Sequence, residues 1–461
     1  MNDMPPRNVV AVDAGGATLK ASVVSGRAAE DAAAALLLAN HVATTTSSGN
    51  VLLGKELLER ERQGGTKLHY VRPIERGYCV NWNVETDIWS HLFSKKASGN
   101  GALGVDPAEH SLLTTAPLFA PTVLNETMDQ VVFEEFGFHS YARVNAQDMC
   151  VLSYTQFCQQ TRAKELLERQ IASTETQESR SPAKRRRKTK AASTARVPLD
   201  PSGNEFTFDT SSCHLVVDSG FSFTHIVPII DGRAYLPGVK RINVGGKLLT
   251  NYLKEIVSFR QWNVMDDTRV INELKEALCY CSMDFESEMA KYHNNGRSGG
   301  HRKHWILPDF VNSFQGRLRN GDNPNHPQND DEQALELGIE LITVPEVLFN
   351  PSDIGLGQAG LAEAILQAVV ACPPELHSAL YANILLVGGN TKFVNIRERL
   401  ERELRSLAPA EYEIVLHQPH DPILTAWDGC TRFATSDEFE CRAVSKQEYE
   451  EHGSNICRKR F

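Results

Sequence analysis

The sequence predicts an α/β fold of two related lobes, duplicated mixed-sheet units that face a central cleft. Three apolar, β-branched runs carry this reading, because each ends abruptly in small residues. They are Val9-Val10-Ala11-Val12-Asp13-Ala14-Gly15-Gly16, Leu215-Val216-Val217-Asp218-Ser219-Gly220 and Ile384-Leu385-Leu386-Val387-Gly388-Gly389. Continuous apolar strands belong to sheets covered on both faces. The first two runs share the ending Asp-x-Gly, about two hundred residues apart. That repeat predicts one strand-turn per lobe, both feeding the same cleft.

Helices are expected between these strands. Residues 125–136 place Met128, Val131, Val132, Phe133 and Phe136 on one face. Residues 269–289 carry Val270, Leu274, Leu278, Cys281 and Phe285 at three- and four-residue steps, and residues 393–407 repeat the pattern with Ile396, Leu400, Leu404 and Leu407. Such stripes are core faces.

Two polar stretches interrupt the pattern. Residues 161–212 hold few large apolar side chains, with Lys184-Arg185-Arg186-Arg187-Lys188 at their centre behind Pro182. This composition cannot bury enough surface to offset ordering, so most of the stretch is predicted to be disordered. Residues 290–331 are rich in Gly, Asn, His, Pro and Asp around the more ordered-looking Trp305 to Phe314. Both stretches are expected to be insertions into a single two-lobed domain spanning 1–461.

Composition narrows the function. Hydrophobic residues make up 41% and no run reaches the ~18 apolar residues of a membrane span, so no membrane partner is expected. Residues 1–7 lack the apolar core of a secretory leader. The ten cysteines include no Cys-x-x-Cys, and Cys279 and Cys281 face different ways in a helix, so buried, reduced thiols are expected. A formal net charge of −10 argues against a body that coats nucleic acid. The basic run at 184–188 reads instead as a nuclear-import signal, or as an arm reaching phosphates.

The strand ends offer phosphate chemistry. An Asp-x-Gly turn can aim backbone N–H groups at a phosphate, since glycine permits close approach. Asp13 and Asp218 could each hold magnesium through water, and Lys20 could reach the β- and γ-phosphates as a point charge. Gly388 and Gly389 remove bulk where a purine and its sugar would lie, and Lys275 and Glu276 offer a donor and an acceptor for base or ribose. His225 is a candidate to orient an attacking water, or else a core histidine.

Further stretches resemble the actin family. They include Gly77-Tyr78-Cys79-Val80-Asn81-Trp82, Leu274-Lys275-Glu276-Ala277-Leu278-Cys279-Tyr280, Pro345-Glu346-Val347-Leu348-Phe349-Asn350-Pro351-Ser352 and Ser445-Lys446-Gln447-Glu448-Tyr449-Glu450-Glu451. Residues 218–228, 241–255 and Leu307-Pro308-Asp309-Phe310 are similar to the nuclear actin-related proteins of the sixth class. The resemblance implies an actin-like fold and a nucleotide site of Asp13, Gly15, Gly16, Lys20, Asp218, Gly220, Lys275, Glu276, Gly388 and Gly389, binding ATP or ADP with magnesium. It implies a non-motor scaffold subunit of a Swr-type chromatin-remodelling complex, which exchanges a variant histone into nucleosomes. Its implied partners are the motor ATPase, a small zinc-HIT subunit and nucleosomal DNA, and its implied location is the nucleus, with some protein in the cytoplasm.

Three departures from the actin pattern predict no catalytic residues and little hydrolysis. Gly16 stands in place of a phosphate-contacting Ser or Thr, and Phe221 in place of an acidic residue. Met149 stands where actin has its water-positioning glutamine, with Gln147 two residues away. Residues 41–50 do not resemble actin's subunit-bridging loop, so filaments are not expected. The competing readings are a cytoplasmic, polymerising, ATP-hydrolysing actin-like protein and a sugar or acetate kinase of the same ancestral fold.

Overall fold

The computed structural model describes residues 8–26, 33–45, 50–63, 68–95, 101–178, 213–294, 302–311, 313–319 and 332–461. Its organising unit is a hairpin flanked by a parallel strand, and that unit occurs twice. In the first lobe, Asn8–Ala14 pairs antiparallel with Thr18–Ser25 and parallel with Ser111–Ala116. Ser140–Asn145 and Val444–Ser445 extend this sheet on one side, and Leu36–Ala39 on the other. In the second lobe, Cys213–Ser219 pairs antiparallel with Thr224–Ile230 and parallel with Ile384–Val387. Leu416–His417 extends one side, while Arg233–Ala234 and Lys240–Ile242 both pair with Thr224–Ile230 on the other.

The predicted strands are buried because each is apolar on both faces. Val9 to Val12, Leu215 to Val217 and Ile384 to Val387 are all buried. One core gathers around the first sheet with Trp89, Phe133 and Tyr141, and the largest around the second with Leu249, Leu274, Ile365 and Leu400. Between the sheets, helix Ala146–Glu178 sets Cys150 and Tyr154 against Val216, Val227 and Leu385 of the second sheet. Helix Thr425–Ala434 sets Cys430 and Phe433 against Val9 and Ala11 of the first. Each lobe also carries a three-stranded sheet: Val42–Thr45 between Val51–Leu52 and Leu68–Val71, and Lys303–Ile306 between Arg317–Leu318 and Ala334–Leu337.

Several expectations are corrected. Residues 161–178 continue helix Ala146–Glu178 rather than beginning a disordered insertion. The rest of that stretch, with Lys184, Arg185, Arg186, Arg187 and Lys188, lies outside the described residues. Within the polar stretch 290–331, where Trp305 to Phe314 looks more ordered, Trp305 lies on a strand and packs into the second lobe's core beside Leu335 and Leu337. The stripe over 269–289 is two helices, Thr268–Leu278 and Phe285–Asn294. They are parted where the Cys281 N–H donates to the Val394 carbonyl at 2.9 Å. Leu407, assigned to a core face, is exposed. All ten cysteines are free thiols and eight are buried, but Cys79 is half-buried and Cys441 exposed, against the expectation of buried thiols throughout.

Candidate functional site

The two hairpins present the same loop. Asp13 lies opposite Lys20 and Asp218 opposite His225, each pair one position before the strand end. The Gly15 N–H donates to the Thr18 carbonyl at 3.2 Å and the Gly220 N–H to the Phe223 carbonyl at 3.1 Å, closing equivalent turns. An asparagine then holds each loop from behind. Asn40 Nδ2 donates to the Gly15 carbonyl at 3.0 Å, and Asn390 Nδ2 donates to the Gly220 carbonyl at 2.8 Å. Gly388 completes the second loop. Its φ is +90°, and an added Cβ would lie 2.3 Å from the Ser219 carbonyl oxygen, so no other residue fits there without displacement.

The chemistry of the two carboxylates differs. Buried Asp13 accepts from Lys20 Nζ at 2.9 Å and from Thr115 Oγ1 at 2.9 Å. Asp218 has no ion-pair partner in direct contact among the described residues and accepts from Gln147 Nε2 at 2.7 Å. Desolvation pushes the Asp218 carboxyl up to about 6; the Gln147 bond works against that rise, and the charge of Asp13 adds to it. The two acids therefore feel one another across the cleft, with Lys20 as their shared counter-charge.

This arrangement fits a magnesium-bound polyphosphate at its acidic end. Gln147 Oε1 is buried without a hydrogen-bond partner beside Asp218, a position where a metal-bound water can donate. Asp13 and Asp218 would hold the ion through water and Lys20 would face phosphate oxygens. Of Gln147 and Met149, it is Gln147 that faces the cleft beside Asp218. Met149 instead packs with Val9, Ala11 and Phe433 in the first lobe's core. Helical phase decides between them: two residues along a helix turn a side chain to the opposite side.

At the far end the fit departs from expectation. Lys275 is buried, and its ammonium donates to the Gly246 carbonyl at 3.3 Å, Thr250 Oγ1 at 3.0 Å and Asn272 Oδ1 at 2.9 Å. Burial lowers its pKa. The ammonium braces two helices rather than waiting for a ligand. Glu276 is exposed and accepts from Asn272 Nδ2 at 2.8 Å. Gly389 has open space before it, the nearest atom to an added Cβ being Ile423 Cδ1 at 4.0 Å. Of the base-end candidates, Gly388 alone is seen to join the second loop directly, through its close approach to Ser219.

Gly16 and Phe221 explain each other. A Cβ on Gly16 would stand 2.8 Å from Ser222 Oγ and 3.5 Å from Phe221 Cδ1, so the second loop fills the room a hydroxyl side chain would need. His225 is buried with its ring 4.3 Å from that of Phe223. Desolvation first, then the charge of Arg241, lower its pKa to about 4, so it is neutral at pH 7. Sequence reading missed Asn40 and Asn390. Asn390 follows the Gly-Gly strand end and was within reach of that motif, whereas nothing near Asn40 marks it.

The chain matches the Actin family over residues 4–461. It is 35% identical over 413 residues to the "Actin-like protein ARP6" of Cryptococcus neoformans, covering 85% of this chain and 73% of that one. It is 33% identical over 460 residues to "Actin-related protein 6" of Dictyostelium discoideum, covering 89% and 86%. The match to "Actin-related protein 6" of Arabidopsis thaliana is 35% over 413 residues, covering 85% of each.

Proposed function

We propose, for a chain that belongs to the actin family among its class-6 actin-related proteins, a role as a non-motor scaffold subunit of a Swr-type chromatin-remodelling complex. The observation that carries this reading is the likeness to class-6 relatives through 85% or more of the chain, which spans both lobes. In this role the protein sits in the nucleus, against the motor ATPase and a small zinc-HIT subunit, close to nucleosomal DNA. With a net charge of −10, the folded body is suited to protein contacts, and any DNA contact falls to the basic run at 184–188.

Members of the family generally bind nucleotide with magnesium. Here the cleft would hold ATP or ADP between Asp13, Lys20, Gln147 and Asp218 without serving as a motor. A neutral, buried His225 and an aromatic Phe221 beside the first loop leave Gln147, whose amide nitrogen is committed to Asp218, as the group at that corner to orient water. The test is affinity purification of the tagged full chain from nuclei, with mass spectrometry of what accompanies it. A motor ATPase and histone-exchange subunits in fixed ratio are expected. Recovery with cytoskeletal proteins, or rapid phosphate release by the purified chain, would overturn the reading.

A further inference from the structure

The cleft is closed by side chains. From the second loop Phe223 reaches the first lobe at the turn between strands Ile74–Glu75 and Tyr78–Cys79. Arg76 and Gly77 make that turn with φ of +46° and +82°. Such a pair of left-handed residues forms a tight hairpin turn, and a non-glycine residue there is strained. A Cβ on Gly77 would lie 1.9 Å from Phe223 Cε1, so the ring occupies the space that glycine leaves. Arg241 stands over the ring, its guanidinium carbon 4.1 Å from the centroid, and Nη2 donates to the Arg76 carbonyl at 3.4 Å. One arginine therefore holds both sides of the contact.

A second aromatic contact runs beside the first. Phe221 lies under the guanidinium of Arg72 at 4.8 Å, and its edge borders Gly16. Arg72 belongs to the first lobe's outer part, where it also contacts His41 at 3.3 Å. The anchor behind these rings is the second sheet. Asp218, His225 and Arg241 sit in register on three adjacent strands, so the closing residues are tied to the metal-end carboxylate.

We propose that Phe223 and Arg241, seated on the Arg76–Gly77 turn, are positioning residues that hold the two lobes closed without nucleotide. In a hinged two-lobed protein, a ligand bound in the cleft commonly supplies the closing contacts. Here the contacts are internal, so closure is a property of the chain. The inference rests on the scaffold reading, for which a shape independent of ligand is an asset. It also predicts slow exchange of whatever the cleft holds, since the clasp must open first.

The test compares the full chain with Phe223→Ala and Arg241→Gln, each stripped with EDTA and then reloaded with magnesium and etheno-ADP. Small-angle scattering reads the radius of gyration and fluorescence reads release. The stripped wild type should be as compact as the loaded one, whereas stripped Phe223→Ala should expand and contract again on loading. Release should be roughly tenfold faster from either variant, the factor expected for about 1.4 kcal/mol. Arg241→Gln keeps the ring and carries the test where Phe223→Ala fails to fold. Expansion of the stripped wild type, or variants that stay compact and slow, would overturn the clasp. Co-purification with remodelling subunits despite an opening wild type would defeat this inference alone; a closed wild type with no such partners would defeat only the functional reading.

Discussion

The two hairpin loops share a backbone and differ in chemistry. Asp13-x-Gly15 and Asp218-x-Gly220 close the same turn and hand a carbonyl to an asparagine at nearly the same distance, 3.0 and 2.8 Å. Opposite the first aspartate stands Lys20, paired to it at 2.9 Å; opposite the second stands His225, neutral and packed on Phe223. The first loop keeps the charge pattern of a phosphate cradle. The second has given its equivalent positions to aromatic side chains that bind the other lobe. A duplicated fold can thus keep its geometry while one copy changes from ligand contact to lobe closure.

Removing the opposing residue in each loop breaks the comparison most sharply. Lys20→Met leaves Asp13 buried without its cation, which should cost about 3–5 kcal/mol. His225→Gln removes a neutral ring and should cost about 1 kcal/mol. Denaturant unfolding in EDTA reads both. If the loss at Lys20 is an unpaired charge, the double variant Asp13→Asn with Lys20→Met should recover most of it. Equal losses at the two positions would mean that the loops are electrostatically alike.

The support behind the first loop titrates. Glu85 is buried, with Oε1 accepting from Trp89 Nε1 at 2.9 Å and Asn40 beside it. Burial raises its pKa from 4.5 to about 7, and the Trp89 and Asn40 contacts lower it only in part; the other titratable group facing it is the Cys79 thiol. Below pH 4.5 the acid is protonated in both folded and unfolded chains and contributes no difference. Between 4.5 and 7 the unfolded chain sheds the proton while the folded chain keeps it, so stability falls as pH rises, and the full penalty stands above 7. Glu85→Gln should therefore be the more stable protein at pH 8, by on the order of 3 kcal/mol, and indistinguishable from wild type at pH 4. A constant difference across that range would show that Glu85 is ionised throughout.

The legible part of this molecule was the part written in local pattern. Buried strands announce themselves by unbroken β-branched runs, and Asp13, Asp218 and Gly388 were found because each ends one. The amphipathic stripe over 269–289 misled for a physical reason. Leu278, Cys281 and Phe285 keep helical spacing, but the chain leaves the helix after Leu278 and Cys281 makes a backbone bond to Val394. Trp305 stood out among polar neighbours, but a strand of only four residues is too short for an alternating pattern to define it. Lys275 had the expected residue type, but whether an ammonium faces a ligand or a helix depends on Gly246 and Thr250, 29 and 25 residues away. Phe223 was visible in the sequence; its partner, Gly77, lies in the other lobe, and no local pattern links them.

The smallest expected effect tests whether Gly16 and Ser222 are coupled across the cleft. A serine at position 16 would bring its Cβ to 2.8 Å from Ser222 Oγ, and the hydroxyl can turn away by a rotamer change, so Gly16→Ser should cost only about 1 kcal/mol. Ser222→Gly clears that contact. If the loops are coupled there, the double variant should be more stable than the sum of the two single losses by at least about 0.5 kcal/mol. Phe221, 3.5 Å from the same added Cβ, supplies the control: its edge is in ordinary contact, so Phe221→Leu should show little coupling to position 16. Additive losses at 16 and 222 would mean that the first loop tolerates a hydroxyl without help from the second.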